Sequence, residues 1–284
     1  MRDRYFLRFK ARTLGLGEHT CIIGILNVTP DSFYDGSKHF GPDAALQHAE
    51  RLIEEGCDIL DIGGQSTRPA SEPVEEQEEL KRVLPVLVAL RKKSDVFISI
   101  DTYRSEVARV CLLEGADMIN DVSSFRMDAR MPEIVAAAGV PVVCMHFLKS
   151  LHPMPGNPQY NDLFTEILDF FTETFRIAKQ AGIPEAQIVV DPGIGFGKTL
   201  EHNLQIMRQL SFLRPLGRPI LVGPSRKSFI QKITGLPAEE RLEGTAAAVA
   251  MCLLQGAHLI RVHDVRFFRR FCDVLDRLLD HKDH

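Results

Sequence analysis

The sequence lacks the segments that carry a chain into or across a membrane. No apolar run reaches the roughly 18 residues that a membrane-spanning helix requires, because even the most apolar stretch, residues 245–254, is followed by Gln255 and Gly256. Residues 1–10 carry five charges and no apolar core of a secretory signal. We therefore expect a soluble, cytoplasmic protein without a membrane partner.

Basic excess and paired cysteines are also missing. The formal net charge is −4, whereas domains that bind nucleic acid are usually basic, so we expect no nucleic-acid partner and only local anion sites. No two cysteines form a Cys-x-x-Cys pair, which favours reduced thiols in a cytosolic protein over a zinc site or disulfides. The six cysteines are Cys21, Cys57, Cys111, Cys144, Cys252 and Cys272.

The sequence does contain a regular alternation of short β-branched runs and helical patterns from about residue 20 onward. Strands are predicted near residues 21–26, 57–62, 96–100, 117–119, 141–144, 187–190, 219–222 and 258–260. Helices are predicted near residues 42–55, 76–92, 105–114, 131–138, 162–181, 200–210, 244–254 and 265–279. Equal numbers in strict order favour an α/β fold of the (β/α)8 TIM-barrel type over an open doubly wound sheet.

The whole chain, residues 1–284, is predicted to form one domain. Residues 1–19 precede the first predicted strand and form an N-terminal extension. The segment Tyr5–Phe9 alternates between apolar and charged residues, which indicates a hairpin at the base of the barrel. Glycines after the helices, at positions 56, 115, 139, 182 and 256, are predicted left-handed C-caps that mark this base.

Barrel enzymes keep their chemistry in the loops after the strands, and polar residues cluster there. The first loop, residues 27–36, contains two carboxylates and an aromatic, and the second, residues 61–69, has paired glycines before the oxyanion-binding candidates Thr67 and Arg68. A purely geometric role in turns remains an alternative for the first loop. Asp101 and Asn120 end the next two strands, and Asp101 alternatively caps the following helix.

The last three loops are glycine-rich or basic. Residues 191–199 imitate a P-loop, but Pro192 stands where the motif needs its first glycine, which excludes a nucleotide triphosphatase. Arg261 and His263, two residues apart at the end of the last strand, project the same way and suit a pyrophosphate. A surface ion pair between Arg261 and Asp264 is the alternative.

Four of these segments resemble the dihydropteroate synthase family, in that family's order: residues 27–33, 63–69, 225–228 and 261–264. The resemblance extends from about Cys21 to Val265. It implies condensation of 6-hydroxymethyl-7,8-dihydropterin pyrophosphate with p-aminobenzoate, giving 7,8-dihydropteroate and pyrophosphate in folate biosynthesis. It also implies Mg²⁺ as cofactor, sulfonamides as competitors of p-aminobenzoate, and a homodimer packed through helices late in the chain.

The resemblance assigns roles to individual residues. The expected pterin contacts are Asp101, Asn120, Met145, Asp191 and Lys227. The expected contacts of the pyrophosphate and Mg²⁺ are Asn27, Thr67, Arg68, Arg261 and His263, with Asn27 as the metal ligand. The expected walls of the p-aminobenzoate pocket are Phe33, Pro69, Lys227 and Ser228. The expected catalytic residues are Asp35, Arg68 and Lys227, with Asp35 stabilising a cation.

Two positions depart from the family pattern. Gln65 stands where Glu is common, a mild change because an amide oxygen still accepts a hydrogen bond. The usual Met-His-Met-Gln-Gly stretch reads Met145 to Lys149 with a different ending, which predicts a differently shaped fifth loop and leaves His146 outside the expected site.

Three other functions are weighed against this reading. A methyltetrahydrofolate-dependent methyltransferase shares the pterin-binding barrel but needs no pyrophosphate site, so Arg68, Arg261 and His263 count against it. A catalytically silent pterin-binding paralogue stays open. A sugar-phosphate lyase is disfavoured because Lys227 lies inside a basic loop rather than alone at a strand end.

Overall fold

The structure is a computed structural model that describes residues 2–29, 42–65, 74–148 and 158–279. Within these ranges two strands form an N-terminal hairpin and eight form the barrel wall. The hairpin strands are β1 (Tyr5–Phe9) and β2 (Arg12–Leu16). The barrel strands are β3 (Cys21–Asn27), β4 (Ile59–Gly63), β5 (Phe97–Asp101), β6 (Met118–Asp121), β7 (Val142–Met145), β8 (Ile188–Asp191), β9 (Leu221–Val222) and β10 (Leu259–Val262).

The eight barrel strands are parallel and each pairs with its neighbour in the order β8-β7-β6-β5-β4-β3-β10-β9. A parallel bridge between Val190 and Ile220 joins the two ends of this order, and the Val190 N–H donates to the Pro219 carbonyl at 3.0 Å. The sheet is therefore a nearly closed barrel, and the predicted (β/α)8 fold is confirmed.

Helices separate the strands, and most agree with the predicted ones to within two residues at each end. The α helices of the described ranges are α1 (Pro42–Glu54), α2 (Glu76–Arg91), α3 (Ser105–Leu113), α4 (Met131–Ala138), α5 (Leu163–Ala181), α6 (Leu200–Arg208), α7 (Ser228–Thr234), α8 (Leu242–Leu254) and α9 (Val265–Leu279). Helix α7 was not predicted, because its 7 residues are too few to show a clear helical period. None of the helices in the described ranges has the length and apolar character to cross a membrane.

The base of the barrel is closed by the β1–β2 hairpin. The strands pair antiparallel from Tyr5–Leu16 to Phe9–Arg12, and the buried side chains Leu7 and Phe9 pack against inward-facing apolar residues of the barrel strands. Gln187 holds the hairpin at its backbone: its amide oxygen accepts from the Arg8 N–H at 3.0 Å and its amide nitrogen donates to the Arg8 carbonyl at 2.7 Å. Five predicted C-cap glycines at this end, at positions 56, 115, 139, 182 and 256, all have positive φ.

Candidate active site

An arginine bridges two buried carboxylates at the opposite end of the barrel. The Nε of Arg261 donates to Asp61 Oδ2 at 2.6 Å, and an Nη2 donates to Asp101 Oδ2 at 2.7 Å. Burial raises the pKa of Asp101 to about 7, although the Arg261 cation acts in the opposite direction. The predicted alternative that Asp101 caps α3 is wrong, since the N–H of Ser105 at the start of α3 donates to Asp128 at 2.9 Å.

Asn120 joins the same cluster from β6. Its amide nitrogen donates to Asp61 Oδ2 at 3.0 Å, so this one oxygen accepts from both Asn120 and Arg261. The other oxygen of Asp61, Oδ1, is buried and has no hydrogen-bond partner among the described residues. A buried acceptor without a donor is costly, so the cluster is built to receive a further N–H or O–H group.

The ends of β8 and β9 present a carboxylate beside an amine. Asp191 Oδ1 accepts from the Gly193 N–H at 2.7 Å, and burial raises the pKa of this carboxyl to about 6. The Nζ of Lys227 lies 3.9 Å from the centre of the Phe196 ring, and desolvation lowers the pKa of this amine to about 8. Both groups therefore change charge close to neutral pH.

An apolar wall lies between these polar groups. Met145 at the end of β7 is buried and packs with Val122 and Phe147, and the partly buried Tyr103 and Phe196 complete the cluster. Thioether and aromatic groups of this kind suit the face of a flat heterocycle. The predicted pterin contact of Met145 stays a prediction.

The basic loops after β9 and β10 are joined to each other. Ser225 Oγ lies 2.9 Å from His263 Nδ1, and Arg226 donates to both oxygens of Asp264 at 3.1 and 2.5 Å. The alternative ion pair between Arg261 and Asp264 is therefore wrong. The expectation that Arg261 and His263 together bind a pyrophosphate stays a prediction; in the structure Arg261 donates to Asp61 and Asp101. Ser228 is exposed at the first position of α7.

The predicted metal ligand Asn27 is the last residue of β3 and is half-buried. A Cβ built on the neighbouring Gly63 would lie 3.8 Å from Asn27 Oδ1 and 3.5 Å from Asp101 Cβ, so Gly63 lies beside both of these side chains. Among the described residues no three His, Cys, Asp or Glu side chains come together as a metal site.

Part of the predicted site lies outside the described residues. These positions are Phe33, Asp35, Thr67, Arg68 and Pro69. Their roles stay predictions, including the catalytic roles of Asp35 and Arg68.

Three polar residues at the barrel mouth were not predicted as site residues. Asp61 interrupts an otherwise apolar strand, a signal that could have shown it. Lys198 lies in the P-loop-like run, and its buried Nζ contacts His146 Nδ1 at 3.0 Å. His146 was left aside because of the unusual fifth loop, yet its side chain is buried next to this amine.

Comparison with known proteins gives a consistent result. The family model described as "Pterin binding enzyme" matches residues 23–263. Dihydropteroate synthase of Bacillus subtilis is 43% identical over 273 residues, 95% of this chain and 93% of that protein.

Two solved structures share the fold throughout. Dihydropteroate synthase of Xanthomonas albilineans with 4-aminobenzoic acid has a TM-score of 0.90 and 40% identity, covering 98% of this chain and 99% of that one. The Yersinia pestis enzyme in complex with a sulfonamide drug also has a TM-score of 0.90 and 40% identity, covering 96% and 99%. The chain therefore belongs to the pterin-binding enzyme family, and within it to the dihydropteroate synthases.

Proposed function

We propose that this chain catalyses the synthesis of 7,8-dihydropteroate from 6-hydroxymethyl-7,8-dihydropterin diphosphate and p-aminobenzoate. The observation that carries the proposal is that the Asp191 carboxylate and the Lys227 amine, each of which acts on the charge of the other, lie at the barrel mouth near the cluster of Asp61, Asp101 and Asn120. A reduced pterin presents N–H groups along one edge and an oxygen and a nitrogen along the other. The Asp191 carboxylate can accept from the N–H edge, and the Lys227 amine can donate to the edge with the oxygen and the nitrogen.

Asp191 is the proposed partner of the pterin 2-amino and N3–H groups. A carboxylate accepts both hydrogens at once, and it retains free lone pairs after accepting from Gly193. Lys227 is proposed to donate to the ring oxygen and N5. Asp101 and Asn120 complete the pterin contacts, and Met145 packs against the ring face.

The proposed reaction is a dissociative displacement without a covalent enzyme intermediate. The bond between the pterin methylene carbon and the diphosphate oxygen breaks, the electron pair leaves with diphosphate, and the dihydropterin ring delocalises the resulting cation. The amine of p-aminobenzoate then forms a bond to the methylene carbon and loses a proton. Catalysis comes from positioning and from charged groups arranged before the reaction; Asp35 and Arg68 are proposed to take part.

The proposed anion contacts on the described side of the mouth are His263 and Arg261. His263 lies beside Ser225. Ser225 belongs to the loop that leads to Lys227 and Ser228. In the ligand-free protein Arg261 donates to Asp61 and Asp101, on the side of the proposed pterin pocket. It would contact the diphosphate only after releasing one of these two carboxylates.

The residues present fit a magnesium ion that arrives with the diphosphate. Asn27 offers a neutral amide oxygen, the hard donor that Mg²⁺ accepts, and the described residues provide no carboxylate cage around it. When bound, Mg²⁺ would share the charge of the leaving group. Asn27 would hold it on the protein side.

The proposal extends to a homodimer that works in the cytoplasm. Exposed apolar side chains line α8 and α9, which is unusual for a free surface and suits a protein interface. These residues are Met251, Leu254, Phe267, Val274 and Leu278. The cysteines, all buried and unpaired, are typical of a reducing compartment.

The test is direct synthesis. Purified chain is mixed with the dihydropterin diphosphate, p-aminobenzoate and Mg²⁺, and dihydropteroate is separated by chromatography; a sulfonamide is expected to inhibit competitively with p-aminobenzoate. Pterin binding without product would favour the silent paralogue. Loss of the methyl group from methyltetrahydrofolate, without dihydropteroate synthesis, would favour the methyltransferase.

A further inference from the structure

A buried lysine behind the pterin site has no part in the reaction described above. Lys198 is 8% exposed, and its Nζ donates to the Phe196 carbonyl at 2.9 Å and to the His146 carbonyl at 3.3 Å. The third contact of the Nζ is His146 Nδ1 at 3.0 Å. Within the described ranges no carboxylate lies within ion-pair distance of this amine, so a cation is held here by neutral acceptors alone.

These contacts fasten the loop after β8 to the end of β7. Gly193 passes so close to the His146 carbonyl that any Cβ at this position would collide with it. Gly195 supports the Lys227 stem, because a Cβ there would lie 3.1 Å from Lys227 Cδ. The Phe196 ring lies under the Lys227 amine. Lys198 thus holds the backbone that seats Lys227, although it does not touch Lys227 through a hydrogen bond.

Lys198 also acts on Asp191 through charge. Burial raises the pKa of Asp191, and the cations of Lys227, Lys198 and Arg261 act against that rise. Desolvation lowers the pKa of Lys198 itself to about 7, so the amine is charged in the pH range where Asp191 ionises. The other titratable groups around Lys198 are His146, Tyr160, His202 and Lys227.

We infer that Lys198 is a positioning residue for this reaction: it holds the Gly193–Gly197 loop, in which the Gly193 N–H donates to Asp191 and the Phe196 ring lies against the Lys227 amine. The inference rests on the proposed function, because it assumes that Asp191 and Lys227 bind the pterin. It gives a role to the glycine-rich, P-loop-like run that ends in Lys198, and this role involves no nucleotide.

The test compares Lys198→Met with the wild type in the affinity for 6-hydroxymethyl-7,8-dihydropterin between pH 5 and 9. Loss of the cation raises the pKa of Asp191, so the fall in affinity at acid pH should begin about one unit higher. The affinity should drop by about twofold at pH 7 and by about tenfold at pH 5, where Asp191 is mostly protonated in both proteins. Burial, the largest cause of the low pKa of His146, remains in the variant and still opposes protonation of that ring.

Lys179 is an exposed lysine in the last turn of α5, and Lys179→Met is the matched control. Its pterin affinity should equal that of the wild type at each pH. If Lys198→Met loses its cooperative unfolding transition, Lys198→Gln replaces it, because the amide is neutral yet still donates to a carbonyl; the same acid shift is expected. A folded variant overturns the inference if its pterin affinity equals that of the wild type and falls at the same acid pH. Wild-type protein that makes no dihydropteroate overturns the proposed function instead.

Discussion

The two ends of this barrel are built from the same strands but contain opposite kinds of side chain. At the base, inward-facing Ile59, Met118, Val189 and Leu259 pack against the hairpin. Two residues further along each of these strands stand Asp61, Asn120, Asp191 and Arg261. Side chains two apart on a strand share a face, so a single step toward the carboxyl end turns an apolar interior into a charged one.

This difference separates stability from function along the barrel axis. At the base, Gln187 exchanges two hydrogen bonds with the backbone of Arg8, and among the described residues the Nε of Arg218 is the one buried side-chain atom there without a partner. At the mouth, Asp61 keeps an unpartnered buried oxygen, and burial shifts the pKa values of Asp101, Asp191 and Lys227 toward neutrality. Groups left in this state cost stability and are kept where a ligand completes them.

The largest expected effect is on stability at the base. Phe9→Ala removes a ring that is 1% exposed between the hairpin and the barrel, so the free energy of unfolding should fall by about 3 kcal/mol or more. Pterin affinity at the opposite end should not change. Phe6→Ala on the other face of the same strand, where the ring is 62% exposed, is the control and should cost less than about 0.5 kcal/mol. Denaturant titration measures both, and equal losses would mean that the hairpin does not close the core.

At the mouth, Asp191→Asn should instead weaken pterin binding by about 2 kcal/mol or more and leave unfolding nearly unchanged. The amide presents a donor to the donor edge of the ring. Wild-type affinity should fall as pH drops through about 6, where the Asp191 carboxyl takes up its proton, and the Asn variant should lack this dependence. Calorimetry measures the affinity for 6-hydroxymethyl-7,8-dihydropterin, and Asp169→Asn, at an exposed position of α5, is the control. Unchanged affinity in a folded variant would remove Asp191 from the site.

The sequence predicted the strand-end residues at the mouth well and their partners poorly. Asp101, Asn120 and Asp191 were identifiable because each ends an apolar run, and a parallel barrel brings such ends together. The inward turn of Arg261 was not predicted, since the period of a strand gives the face of a side chain but not the group across the barrel. Lys198 was missed for the same reason: its acceptors, a carbonyl and a ring nitrogen of His146, lie on another strand end.

The step from apolar to charged interior can also be weakened at Asp61, to which our proposal assigns no pterin contact. Asp61→Asn keeps the shape of the side chain but replaces the ion pair with Arg261 by a hydrogen bond to an uncharged acceptor, a loss of about 1.5 kcal/mol. We expect kcat/KM to fall by about tenfold, less than for Asp191→Asn, because Asp101 still holds Arg261. Steady-state kinetics with both substrates measures this. A loss as large as that of Asp191→Asn would indicate that Asp61 binds the substrate directly.

The smallest expected effect is that of a chelator on the substrate-free protein. The base is stabilised by apolar packing, and the described residues at the mouth form no metal cage, so EDTA should leave the Tm of the substrate-free protein unchanged. Turnover should nevertheless fall, because Asn27 binds Mg²⁺ only together with the diphosphate in our proposal. Mg²⁺ with diphosphate should raise the Tm by ligand linkage, and EDTA should cancel this increase. Thermal unfolding in the four combinations of EDTA and Mg²⁺-diphosphate provides the comparison. A lower Tm of the substrate-free protein in EDTA would show that a metal stabilises the fold, and the assignment of Asn27 as a ligand shared with the substrate would then be wrong.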